Sequence, residues 1–195
     1  MRIQSEDVPQ ADNIYDVIKA VEAVSQGYAS YQEIASYIGK VGRQGRYYRR
    51  AAENLGFIKN YHNKSVLTKL GRAFVKANKT DRDNILFHAV LNSRIFQRLV
   101  PFFEMHRKGV SRSQIISFMS EVTEPTGTTM MGRRSNTVIN WLQSVGIITP
   151  IQDKYMLTDL IRRNIDSLEF SDEDEPILPK NFNLEEYKIV YMFSV

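Results

Sequence analysis

Apolar residues recur at helical spacing over residues 13–26. Ile14, Val17, Ile18, Val21 and Val24 fall on one face there, and Gly27 marks a C-terminal stop. A second, short helix is predicted over 31–39, opened by a capping box in which Ser30 is followed three residues on by Glu33. Gly39 and Gly42 bracket a turn, and a third helix over 43–55 turns Tyr48, Ala52 and Leu55 inward. After Gly56 the period drops to two. GFIKNY and SVLTKL are short alternating runs joined at His62-Asn63-Lys64, a β-hairpin signature. Helix, helix, helix, hairpin is the plan of a winged helix, a helix-turn-helix carrying a β wing.

The pattern then repeats. Residues 42–70 align with residues 132–160 at a constant offset of 90 without a gap. Gly42 meets Gly132, Arg43 meets Arg133, Gly56 meets Gly146 and Ile58 meets Ile148. Lys64 meets Lys154, and Leu67, Thr68 and Leu70 meet Leu157, Thr158 and Leu160. Tyr48 with Val138, Ala52 with Leu142 and Leu55 with Val145 keep their apolar character. Upstream, SYQEIASYI from Ser30 matches SRSQIISFM from Ser111, which opens its own capping box with Gln114. Nine extra residues separate the two matches in the second copy, within SEVTEPTGTTM. The proline and glycine there read as a loop, open to a DNA-contacting role or to none. Self-similarity of this length marks a tandem array of one supersecondary unit.

In the second copy, residues 81–108 read as strongly helical, with a break at Asn92-Ser93 and a kink or restart at Pro101. Helices follow over 112–120 and 133–145, the latter with Val138, Trp141, Leu142 and Val145 inward. GIITPI and KYMLTDL make the second wing around Gln152-Asp153, and Pro150 suits an edge strand or the turn. The expected fold is therefore mostly α, of the α+β winged-helix kind. One unit covers residues 1–78 and a second covers 79–165. An acidic linker with a β-like end occupies 166–195.

Charge sharpens this picture. Residues 166–195 hold eight acids and two bases, a net −6; with a chain total of +4, residues 1–165 carry +10. A basic body with an acidic tail points to a polyanionic partner and raises the expectation that the tail shields the basic face. There is no cysteine, which excludes disulfides and thiolate metal sites, and the three histidines show no ligand spacing. The N-terminus has no apolar signal core and no stretch has the length of a membrane span, so the expected compartment is the cytoplasm.

The third helix of each unit carries the candidate chemistry, because in a helix-turn-helix that helix lies in the major groove. In the first unit Lys40, Arg43, Gln44, Arg46, Tyr47, Arg49 and Arg50 form a basic run without an acid, and Lys64 on the wing is placed for a phosphate. Arginine reads guanine O6 and N7 bidentately and also clamps phosphates. The competing reading is an ordinary solvated basic face. In the second unit Arg133, Arg134, Ser135, Asn136, Thr137 and Asn140 occupy the same place. Asparagine matches the adenine N6/N7 edge and a threonine methyl meets that of thymine, with helix capping by Ser135 or Asn136 as the competing reading. Asn60, His62, Asn63 and Lys154 are secondary wing candidates, and Trp141 reads as core.

No phosphate-binding loop, dinucleotide fingerprint, metalloprotease helix or nucleophile elbow occurs, so no catalytic residue, cofactor or metal is expected. Glu186-Tyr187-Lys188 echoes half of a metal-dependent nuclease motif, but two acids and a lysine in an acidic tail are common by chance.

The tracts AENLGFIKNYHNKSVLTKLGRAFVKA (52–77), the helical stretch from Asp81 to Gly109 and RRSNTVINWLQSVGIITPIQDKYMLTD (133–159) resemble the DNA-recognition region of Fok-type type IIS restriction endonucleases. The resemblance spans roughly residues 14–162. It implies tandem winged-helix subdomains that recognise a short asymmetric duplex sequence, with Arg43, Arg46, Arg50, Arg133, Asn136 and Asn140 facing the groove. It also implies a separate nuclease domain or subunit as partner. The expected function is sequence-specific double-stranded DNA binding within a restriction–modification system. The alternatives are a winged-helix transcriptional regulator and a winged-helix protein-interaction module without DNA affinity.

Overall fold

The computed structural model describes residues 2–125 and 127–165. The acidic segment 166–195, with Glu186-Tyr187-Lys188, lies outside the described residues. The chain is mostly helical with small antiparallel sheets, and divides into two compact units.

One unit spans residues 9–90. It runs through α1 (Ile14–Ser25), α2 (Tyr31–Tyr37), α3 (Gly42–Asn54), β1 (Ile58–Tyr61), β2 (Lys64–Leu67), α4 (Lys69–Lys76) and most of α5 (Lys79–Leu91). Its core takes Val17, Ala20 and Val21 from α1, Ile34 from α2, and Tyr48 and Ala52 from α3. Phe57 and Phe74 close it with ring centroids 4.7 Å apart. The capping box expected at Ser30 is formed, with Glu33 accepting from the Ser30 N–H at 2.8 Å and Ser30 Oγ accepting from the Glu33 N–H at 3.2 Å. The hairpin pairs Ile58 with Leu67 through Tyr61 with Lys64. Its two turn residues, His62 and Asn63, both have positive φ (48° and 63°), the turn whose twist matches the flanking strands.

Of the described residues, the other unit takes 2–8 together with 91–165. It contains α6 (Arg94–Met105), β3 (Val110–Ser111), α7 (Arg112–Val122), α8 (Thr128–Ser144), β4 (Ile148–Ile151), β5 (Lys154–Leu157) and α9 (Asp159–Asn164). The sheet order is β3-β5-β4, so Pro150 lies on an edge strand, as its missing N–H requires. Phe96 stacks on Trp141 at 6.1 Å, and both are core.

The sequence-based boundary between residues 78 and 79 moves. Helix α5 belongs with the first unit because Arg82 binds there: it donates to the Val75 and Ala77 carbonyls at 2.6 and 3.1 Å and pairs with Glu22 at 3.1 Å. Residues 2–8 join the second unit, where the Ile3 N–H donates to the Val122 carbonyl and the Glu124 N–H to the Ile3 carbonyl, each at 2.8 Å. Pro101 does not end its helix. It sits inside α6, whose Leu99, Val100 and Phe103 are buried around it, and that packing offsets the roughly 3 kcal/mol of the lost turn.

The internal repeat is a structural repeat. Thr68 and Thr158 donate their hydroxyls to the Gly56 and Gly146 carbonyls at 2.6 and 2.8 Å. Their backbone N–H groups reach the Phe57 and Ile147 carbonyls at 2.9 and 3.0 Å. In the second unit Val110 pairs with Tyr155 as the third strand of its sheet. In the first, the corresponding link is a single hydrogen bond from Ser65 N–H to the Ala29 carbonyl at 2.8 Å. The extra nine residues of the second copy do not form a long loop. Four lengthen α7 relative to α2, four lengthen α8 relative to α3, and one lengthens the connection between them.

Candidate nucleic-acid interface

The orientation of α3 follows from one residue. Gly45 is buried where α3 crosses α2, and a Cβ there would collide with the Tyr31 carbonyl. With Gly45 inward, positions 43, 46, 47 and 50 share the opposite stripe by the helical period. Arg43 and Arg46 are exposed, and Tyr47 and Arg50 are half-buried. In α8 the equivalent of Gly45 is Ser135. It is buried, and its Oγ donates back to the Met131 carbonyl at 2.8 Å. Arg133, Asn136 and Asn140 are exposed. The two helices therefore present matching stripes: Arg43 with Arg133, Arg46 with Asn136, and Arg50 with Asn140.

Several sequence candidates lie elsewhere. Ser135 and Thr137 are buried, and Thr137 donates to the Arg133 carbonyl at 3.3 Å. Arg134 is 4% exposed, and its Nε and Nη1 have no hydrogen-bond partner. Burial pulls its pKa down. These three leave the exposed stripe; Thr137 is buried although the helical period sets it nearly opposite Ser135, so α8 is covered on more than one side. In the first unit Lys40 is half-buried. It pairs with Asp16 at 3.1 Å and sits 5.5 Å from the Tyr48 ring, tying the turn to α1. Burial raises the Asp16 pKa, but hydrogen bonds from Lys40 and Lys19 and their charges outweigh it and hold the carboxyl below its usual value. Gln44 accepts from the Val41 N–H at 3.4 Å, closing the first turn of α3.

Three further cations of α3 are held in place. Arg46 lies 4.5 Å from the Tyr31 ring centroid and donates to its hydroxyl at 2.9 Å. Arg49 is 5.7 Å from the same ring and donates to Asn63 Oδ1 at 2.7 Å. Desolvation lowers the Arg49 pKa, helped by the charges of Arg46 and Arg50 and opposed by Glu53 and Tyr31. Arg50 pairs with Glu53 at 3.5 Å. Asn63 also accepts from the Tyr31 N–H at 3.1 Å and donates to Gln32 at 3.1 Å, so it fastens the wing turn to α2. Lys64 is exposed on the wing, as is His62, whereas Asn60 and Lys154 are half-buried.

Sequence reading passed over two residues of this face, Tyr31 and Arg112. They are equivalent, each being the first helical residue after a capping serine. Arg112 donates through Nε to Asn136 Oδ1 at 2.8 Å and through Nη2 to the Gly132 carbonyl at 3.2 Å. The signal was present in the alignment of Ser30 with Ser111, one residue before each.

Among the described residues no cluster of three or more histidine, aspartate or glutamate side chains is placed to hold a metal, and no helix is long and apolar enough to cross a membrane. No curated protein and no solved structure matches the chain. A family model matches residues 16–148, from within α1 to the first residue of β4 and so across both α3 and α8. That is more than half of the 195 residues, and the protein belongs to the family described as a domain of unknown function, DUF7226.

Proposed function

We propose that the protein binds double-stranded DNA through α3 and α8, each entering a major groove, as the recognition module of a restriction–modification system acting in the cytoplasm. The observation that carries this reading is the pair of matching stripes, Arg43-Arg46-Arg50 and Arg133-Asn136-Asn140, all exposed but the half-buried Arg50, on the last helix of each helix-turn-helix. Their residue types suit phosphate clamping and base-edge readout, and none is acidic. Cleavage is assigned to a nuclease domain or subunit outside the described residues.

The test is fluorescence anisotropy of the full chain with duplex DNA between about 50 and 200 mM salt. Phosphate contact gives a log–log slope of roughly −0.9 per contact. A steep slope that shrinks in the Arg43→Ala/Arg46→Ala variant supports the reading. Absence of binding at low salt overturns it.

A further inference from the structure

Asn136 does not stand alone on α8. Its side-chain oxygen accepts from Arg112 Nε at 2.8 Å, while the same guanidinium donates to the Gly132 carbonyl at 3.2 Å. Guanidinium has five N–H donors and no acceptor, so this contact fixes which way the amide points. The oxygen faces Arg112, and the outward-directed capacity is the NH2 group. An asparagine that reads adenine must accept from N6 and donate to N7 with one side chain. Here an adenine amino group would have to share an oxygen already held by a cation. Guanine instead offers two acceptors, O6 and N7, to a surface made of donors. In the first unit the bond at the same two positions runs the other way, the Tyr31 hydroxyl accepting from Arg46, and the remaining Arg46 N–H groups are again donors.

We infer that Arg112 and Asn136 form a single guanine-reading pair in which Arg112 sets the polarity of Asn136. Adenine, the base an isolated asparagine would select, is rejected. This rests on the reading that α8 enters a major groove. Arg112 is a specificity-determining residue contributed by the helix before the recognition helix.

The experiment selects bound sites from a randomised duplex pool with the full chain, then measures affinities for the selected site and its single-base variants. Asn136→Ala identifies the base pair that this side chain reads, as the one position where discrimination disappears. The expected base there is guanine, with adenine weaker by about tenfold or more. Arg112→Ala frees the amide oxygen, and the preference falls to a few-fold or turns toward adenine. Both side chains are exposed, so unchanged thermal melting is the folding control. Adenine at that position in the unsubstituted protein overturns the inference while DNA binding stands. So does an unchanged guanine preference in Arg112→Ala, or duplex binding without any base preference. Absence of duplex binding by anisotropy, seen before any base is exchanged, removes the groove reading itself and the inference with it.

Discussion

The guanidinium of Arg46 lies 4.5 Å from the ring centroid of Tyr31 and donates to the same residue's hydroxyl at 2.9 Å. One tyrosine at the start of α2 thus orients an arginine on α3, and Arg112 does the corresponding work for Asn136. In both units the first residue of one helix restrains an exposed residue of the next. Such restraint reduces the side-chain entropy lost when a ligand is bound.

Tyr31→Ala removes the ring and the hydroxyl and should weaken duplex binding about two- to fivefold, the range of an exposed cation–π contact. Tyr31→Phe keeps the ring and should lose less. Anisotropy titrations at fixed salt compare the two. Equal affinity in all three proteins would sink the idea that Tyr31 preorganises Arg46.

The proposed DNA binding gives Arg43 and Asn136 different roles on matching stripes, and their substitutions should separate. Arg43→Ala should reduce the salt slope by about 0.9, with little change in base preference. Asn136→Ala should leave the slope unchanged and relax selection at one base pair. A salt series on the selected site and on random duplex DNA reads both effects.

Gly45 sets the crossing of α2 and α3. Gly45→Ala places a methyl group against the Tyr31 backbone and the Ala35 side chain, neither of which can swing aside. The expected loss is about 1–3 kcal/mol, seen as a lower urea midpoint. Ser135→Ala, at the equivalent place, exchanges one intrahelical hydroxyl bond for better helix propensity and should change stability by less than about 1 kcal/mol.

Burial pushes the His88 pKa down to about 4 from 6.5. The imidazole is neutral in the folded chain and takes up a proton in the unfolded one as pH falls below about 6.5. The unfolded state then binds more protons, so stability falls with pH between about 6.5 and 4, by about 3 kcal/mol at most. Urea unfolding at pH 7 and pH 5 should show the loss, and His88→Leu should flatten that part of the profile. An equal loss in the variant would assign it to carboxylates instead.

Much of the fold was legible because its signals are local. The serines at 30 and 111 cap helices as their spacing with Glu33 and Gln114 demands. Asn92-Ser93 separates two helices, and Gly56 and Gly146 carry the positive φ of helix ends. Helix α4 went unpredicted because its start depends on Thr68, which looks like the end of a strand but whose Oγ accepts from the Gly71 N–H at 3.0 Å. The stretch from Ser120 to Met130 looked like a loop because Pro125 and Gly127 dominate its composition, yet most of it extends α7 and α8.

The candidate site was only half legible. Composition alone located the basic run on α3 and the polar run on α8. It could not separate Asn136 from its neighbours Ser135 and Thr137, which the fold buries, because helical phase is set by what packs beneath the helix. Nor could it show that Lys40 belongs to Asp16, or Asn63 to Tyr31 and Arg49, since those partners lie 14 to 32 residues away in the chain. By itself the sequence determined the repeat, the order of the helices and hairpin within each copy and the serine caps, whose signals are mostly local. Only the tertiary structure decided which side chains are exposed and which hydrogen-bonding capacity each has left, because that depends on long-range packing against α2 and α7.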